Sequence, residues 1–323
     1  MAETHADFRA LERTNRRETI LLVVVFLVLF SALGFGFDYL AGTVRMVDGK
    51  FIGFPILTVA ALLIGSIQSL VSYYGGAALV LSAAHARPLE PDSPKHQMVL
   101  DVIREIALAA RLPVPRAYLM DDPAPNAFAT GRDPNHSVFC VTQGLVDEMD
   151  REELQGVIGH EMAHIRDYDI RTMTMIAVLV GGVAMLADFV TRWAFFGGLG
   201  GRRSDNREGG GGAGAIIAIL VLVLAIVAPI FAQLIAMAVS REREYLADAS
   251  SVEFTRNPRA LLRALEHIAQ TESPLRHASR GIAHLFIVNP LAGAREDDEG
   301  FFAKLLSTHP PLSRRIERLR ALA

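Results

Sequence analysis

The chain has 323 residues, 51% of them hydrophobic and 21% charged, with a mean hydropathy of +0.30. That is too apolar for an ordinary soluble enzyme, and a net charge of −3 with a pI near 6.4 leaves no electrostatic footprint for nucleic acid. A single cysteine, Cys140, excludes both an intramolecular disulfide and a cysteine-rich zinc site, so any metal must rest on histidines and carboxylates.

Residues 1–18 carry Arg9, Arg13, Arg16 and Arg17 and read as a cytoplasmic N-terminal segment. Residues 19–84 read as two transmembrane helices joined by a short external loop, 45–54. Residues 19–37 hold no charge before Asp38, and 55–84 hold none at all. Each stretch is long enough to cross about 30 Å of hydrocarbon. The first is too long for the apolar core of a signal peptide, and no Ala-x-Ala site follows it, so it reads as an uncleaved anchor. Two crossings then return the chain to the cytoplasm by residue 85.

Residues 85–172 are expected to form the first part of a cytoplasmic catalytic domain. Three extended runs, Ala117–Met120, Asn126–Gly131 and Ser137–Thr142, are separated by Asp, Pro and Asn turns and predict a strand-rich lobe. Cys140 lies inside the apolar run 138–141, where it reads as a buried structural thiol. Farther on the chain reads His160-Glu161-Met162-Ala163-His164. Asp150 as N-cap, Glu153 at the capping-box position and the spacing of Leu154, Val157, Ile158, Met162 and Ile165 place these five residues on a helix. Two imidazoles four apart share one helix face, a geometry that suits zinc. Glu161 stands beside the first of them, where its carboxylate can reach a water on the metal without occupying the metal.

Residues 173–239 predict a second membrane hairpin, interrupted by the connector 197–214, in which nine of eighteen residues are glycine. That connector lacks the strand-loop-helix setting and the Lys-Ser/Thr of a phosphate loop, so it reads as a solvated linker. Residues 240–323 form the expected second part of the catalytic domain. They open with Ser240-Arg-Glu-Arg-Glu-Tyr-Leu-Ala-Asp248, in which Glu244 and Asp248 share a helix face and Glu242 points away. One reading of this run is the charged collar of a membrane helix. The other is the missing third ligand, Glu244, with Asp248 one turn on to accept the outer N–H of a ligating histidine. The two histidines precede the second hairpin and Glu244 follows it, so a shared ion requires both parts on one side of the membrane.

Three motifs in order make the chain similar to a known family. His160-Glu-Met-Ala-His164, Ser240-Arg-x-x-Glu244-Tyr-x-Ala-Asp248 and Ser307-x-His309-Pro-Pro-Leu-x-x-Arg315 resemble those of the HtpX-type integral-membrane zinc metalloproteases, in the family that also contains the CAAX prenyl proteases. The resemblance implies a mainly α fold with a small β-sheet, in which membrane-helix hairpins join a gluzincin-like zinc metalloprotease domain. It implies one Zn2+ per chain on His160, His164 and Glu244, with Glu161 as the catalytic base and His309 approaching from the C-terminal region to help hold the oxyanion. Asp248 and Arg241 would stand behind the ligands. Asn126, Ala127, Phe128 and Ala129 would form the edge strand on which extended substrate backbone pairs. The implied protein is a membrane-bound zinc-dependent endopeptidase of the bacterial inner membrane, multi-pass, with its catalytic domain facing the cytoplasm. Its partners would be polypeptide substrates, misfolded or damaged membrane proteins among them, and the lipid bilayer. Two alternatives stand beside this reading. A CAAX-type prenyl-protein protease would use the same site within seven spans, where this chain offers four candidates. A non-hydrolytic membrane zinc-binding protein would have no need of Glu161.

Overall fold

A computed structural model describes residues 8–179, 241–271, 275, 282–288 and 310–323. The chain divides into two compact units, one of 20–71 with 179–235 and the other of 1–19, 72–178 and 236–323.

In the first unit, helix α1 (Phe8–Ala41) contributes its apolar part and helix α2 (Ile56–Ala83) its N-terminal half. Both helices are long and apolar enough to cross a bilayer, over Arg13–Gly36 and Ile56–Ala83. Their surfaces invert the soluble pattern: Leu21, Val28, Leu63 and Ile67 are each 60–63% exposed. Exposed leucines and valines over much of both helices fit an apolar surrounding such as lipid. The connection expected as a loop at 45–54 is instead a hairpin. Strands β1 (Val44–Val47) and β2 (Lys50–Gly53) pair antiparallel across Asp48-Gly49, both at positive φ (48° and 72°). Asp-Gly is a strong two-residue turn signal, because both positions tolerate the left-handed region. Asp38 ties this unit together by accepting the backbone N–H groups of Leu57 (3.0 Å) and Thr58 (2.7 Å) at the start of α2. Hydroxyls of Thr43 and Thr58 complete its shell, each at 2.7 Å.

The second unit is built on a four-stranded mixed sheet. Its strands are β3 (Arg87–Pro88), β4 (Arg116–Met120), β5 (Ala127–Gly131) and β6 (Ser137–Thr142), in the order β3-β4-β6-β5. β4 runs parallel to β6, while β5 is antiparallel to β6 and forms one edge. The three predicted extended runs thus become β4, β5 and β6. Among the described residues, helices α3 (Pro94–Ala109), α4 (Gln143–Glu148), α5 (Arg151–Arg166), α6 (Arg241–Thr255), α7 (Pro258–Gln270) and α8 (Leu312–Arg320) pack in the same unit. One core joins the sheet residues Leu119, Phe139 and Val141 to Val102 and Ile106 of α3, Leu154 and Ile158 of α5, and Leu261 and Leu265 of α7. Cys140 is buried among these strands, and burial pushes its thiol pKa up. A thiol in that setting is structural.

Helix α5 is the centre of the unit. The expected capping box is formed: Asp150 accepts the Glu153 amide at 2.9 Å, and Glu153 accepts the Asp150 amide at 3.0 Å. Two glycines then let other helices come close. A Cβ at Gly156 would lie 2.3 Å from the Leu261 nitrogen on α7, and one at Gly159 would lie 2.8 Å from Ser251 Oγ on α6. Gly159 directly precedes His160, so the absent Cβ is what brings α6 against the histidine-bearing turn. Of the expected second hairpin, residues 173–179 continue a helix that starts at 169, and 180–240, with the connector 197–214, lie outside the described residues.

Candidate metal centre

Helices α5 and α6 cross where each carries charge into the core. His160, Glu161 and His164 on α5 and Glu244 and Asp248 on α6 are all buried, at 4% exposure or less. Burial of this kind is costly unless each group has a partner, and the partners are in place. The Nε2 atoms of His160 and His164 lie 3.2 Å apart. From them, the Glu244 oxygens lie at 3.6 Å and 3.5 Å. A tetrahedral shell with bonds of about 2.0–2.2 Å sets its donors about 3.3–3.6 Å apart, and the histidine pair, with Glu244 Oε2 turned to His160 and Oε1 to His164, approaches those dimensions.

The outer nitrogens explain why the two lone pairs converge. His160 Nδ1 is 2.9 Å from Asp248 Oδ1, and His164 Nδ1 is 3.1 Å from Asp169 Oδ2. A carboxylate only accepts, so each Nδ1 carries the proton and each Nε2 presents its lone pair inward. Two lone pairs 3.2 Å apart repel unless a cation or proton lies between them. The donor set therefore fits a divalent ion of the zinc type.

Electrostatics divide the histidines. Burial, with the Arg315 guanidinium, pushes His160 down to about 4. For His164 burial works the same way, but the Asp169 hydrogen bond and the Glu244 charge outweigh it, and the group rises to about 9. Burial raises Glu161 to about 8, against the pull of His164, with Glu244 adding to the rise. A bound dication reverses this logic, because it occupies the Nε2 positions and favours the carboxylate.

Arg315 is the group that the sequence reading quoted without giving it a task. It comes from α8, is 1% exposed, and grips Asp248 with Nε at 3.0 Å and Nη2 at 2.7 Å. Its Nη1 donates to the Ile287 carbonyl at 2.8 Å and lies 3.5 Å from Glu244 Oε2. The neighbouring carboxylates hold it protonated despite burial. A signal existed: Arg314, Arg318 and Arg320 are exposed, whereas Arg315 shares the buried face with Leu319. Asp169 was missed altogether. It follows the end of α5, after Tyr168 turns the chain with a φ of 63°, and no local pattern marks it.

Of the residues expected to form the substrate edge strand, Ala127, Phe128 and Ala129 lie on β5 and Asn126 directly precedes it. The Ala129 backbone N–H faces the Glu161 carboxylate and favours its charged form. Ala127 O accepts the Ile287 N–H at 2.9 Å, and Asn126 Nδ2 donates to Val288 O at 2.9 Å. Phe128 stacks edge-on against Phe286, with centroids 4.9 Å apart. Of the remaining expected residues, Arg241 opens α6 but its side chain lies outside the described residues, and so does His309.

The model of Peptidase family M48 matches residues 93–323. The chain is 40% identical over 311 residues to the Protease HtpX homolog of Lactobacillus helveticus, covering 95% of this chain and 97% of that one. It is 41% identical over 309 residues to the Protease HtpX homolog of Lactobacillus acidophilus, covering 94% and 96%. The Protease HtpX homolog of Caldanaerobacter subterraneus subsp. tengcongensis is 39% identical over 312 residues, covering 97% of each. Among solved structures, the crystal structure of S. mikatae Ste24p superposes with a TM-score of 0.49 at 17% identity, covering 96% of this chain and 66% of that one.

Proposed function

Since this chain belongs to peptidase family M48 and is a membrane-bound metalloprotease, we propose that it is a zinc-dependent endopeptidase with one Zn2+ held by His160, His164 and Glu244. The observation that carries this reading is the buried grouping of His160, His164 and Glu244, whose donor atoms lie within 4.8 Å of one another, with a buried carboxylate, Glu161, next to His160. The chemistry that bound zinc supplies at such a site is Lewis acidity, which polarises a carbonyl and acidifies water.

The chain's own residues do the rest. Glu161 takes the proton of the attacking water and delivers it to the leaving amine. The Ala129 backbone on β5 faces that carboxylate and favours its charged form, which sets the base beside the strand proposed to read substrate backbone. Asp248, clamped by Arg315, and Asp169 hold His160 and His164 with their lone pairs inward. His309 is retained as a candidate donor to the oxyanion.

Substrates are polypeptides, and we infer that misfolded or damaged membrane proteins are among them, cut on the cytoplasmic side. The topology proposed is multi-pass in a bacterial inner membrane, with the parts 85–172 and 240–323 in the cytoplasm. Two histidines before the second hairpin and Glu244 after it cannot share an ion across a bilayer. The Arg-rich N-terminus selects the cytoplasmic side. A reporter fused after Ala323 is expected to behave as cytoplasmic, and one inserted at Asp48 as external. The prenyl-protein alternative gains no specific observation, and Glu161 speaks against a protein that only binds zinc. Casein cleavage by the purified full chain tests the activity: it is expected to stop when a chelator strips the metal and to return with zinc. Cleavage that persists without metal would overturn the reading.

A further inference from the structure

The base of α1 reaches the metal centre. Asn15, one turn before the apolar stretch begins at Ile20, is 2% exposed, and its Nδ2 donates to the Asp167 carbonyl at 2.6 Å and to Asp169 Oδ1 at 2.7 Å. Both neighbours only accept, so the amide must present its NH2 group and its orientation is fixed. Asp169 offers its other oxygen, Oδ2, to His164 Nδ1 at 3.1 Å. Arg243 Nη1 lies 3.3 Å from the same Oδ1, and its Nη2 pairs with Glu18, again on α1. One carboxylate thus stands between a histidine of the metal site on one side and two groups governed by the first helix on the other.

We propose that Asn15 is a positioning residue of the metalloprotease: by holding Asp169 it fixes the ring of His164, so the first membrane helix completes the metal site as well as anchoring the chain. A carboxylate bonded through one oxygen alone can swing about its terminal torsion, which is broad. The donors on Oδ1 remove that freedom, and of the two the Asn15 amide, at 2.7 Å against 3.3 Å for Arg243 Nη1, makes the shorter bond. Groups that orient a metal ligand in this way are part of what sets affinity. Docking of α1 does not itself require Asn15, because Thr19 hydroxyl meets Thr172 hydroxyl at 3.0 Å one turn farther on. The consequence is a dependence of zinc affinity on the seating of α1, so that a chain with its first helix out of place holds metal poorly.

This inference rests on the zinc reading above, and the test separates the two. Full-length protein in detergent is compared as wild type, Asn15→Ala, Asn15→Asp and Thr19→Val. The measurements are zinc affinity by chelator competition, the absorption spectrum of the cobalt-substituted form, the melting of the metal-free protein, and kcat and KM on casein. Asn15→Ala leaves the buried Asp167 carbonyl and Asp169 Oδ1 each short of a donor, so the metal-free protein should melt somewhat lower, and Thr19→Val, which also strips a buried hydrogen bond from α1, is the control for stability alone. Asn15→Ala is expected to weaken zinc roughly 3- to 10-fold, one step milder than the 10–100-fold of a group touching the ligand itself. The cobalt spectrum should shift and kcat should fall with KM unchanged. Asn15→Asp, which sets a second negative charge against Asp169, should weaken zinc more than Asn15→Ala. Thr19→Val should leave zinc affinity and the cobalt spectrum as in wild type. Equal zinc affinity in Asn15→Ala and wild type would overturn the proposal, as would an equal loss in Thr19→Val. A wild type without stoichiometric zinc would remove the metal reading itself.

Discussion

The two compact units solve opposite problems. One exposes what a soluble protein buries: Leu63, Ile67 and Leu70 of α2 stand 59–60% exposed. The other buries what a soluble protein exposes, packing His160, Glu161, His164, Glu244, Asp248 and Arg315 at 4% exposure or less. The first arrangement is stable only in an apolar solvent. The second is stable only because each buried charge has an opposite charge or a fixed dipole close by, Glu244 through Arg315 and the two histidine rings at 3.5–3.6 Å. Hydrophobicity read alone therefore misleads in both directions here, and the partner of each group decides its cost.

Glu161→Gln gives the largest effect on that comparison. It keeps the volume and removes the base, so hydrolysis of casein is expected to fall by about 10²–10⁴-fold. A variant with near wild-type turnover would show that the buried carboxylate is there for packing.

Arg315→Met asks whether the buried charges depend on one another. It leaves Asp248 in the core without its guanidinium clamp, which is expected to cost about 3–5 kcal/mol in denaturant unfolding of the purified protein. A loss below about 1 kcal/mol, the worth of a surface pair, would mean that the cluster is open to water.

Leu70→Lys breaks the other unit. A lysine at the middle of a spanning helix costs about 2.5–3.5 kcal/mol in membrane insertion, which a glycosylation-tagged insertion assay reads as a lower inserted fraction. Unchanged insertion would place that face against protein.

The smallest effect is the pH dependence of metal binding. In the metal-free site His164 keeps its proton up to about 9, and zinc must displace it. Apparent affinity should therefore fall by about tenfold or more for each unit of pH lowered from 8 to 6, one proton leaving His164 and, below about 8, a second leaving Glu161. Chelator competition at several pH values checks the slope, and a flat profile would remove His164 from the ligand set.

Local pattern made much of the site legible. The capping box, the four-residue spacing of His160 and His164, the shared face of Glu244 and Asp248, and the strands β4 to β6 all follow from short-range rules. Asp48-Gly49 carried a hairpin signal that reading 45–54 as a plain loop passed over. What stayed hidden was tertiary. Asn15 meets Asp169 across 154 positions, and Arg315 meets Asp248 across 67. No periodicity spans such separations, and a polar side chain facing a buried partner looks, in sequence, like one facing water. The close approach of α6 to His160 is also invisible locally, since it depends on Gly159 having nothing to place against Ser251.

Zinc content decides most directly whether the buried cluster is a metal site with a separate base. Purified Glu161→Gln and Glu244→Gln proteins are dialysed against the same limiting zinc and analysed for metal per chain. The expected result is one zinc per chain in Glu161→Gln and almost none in Glu244→Gln. Equal zinc in the two variants, or loss confined to Glu161→Gln, would contradict the assignment of ligand and base.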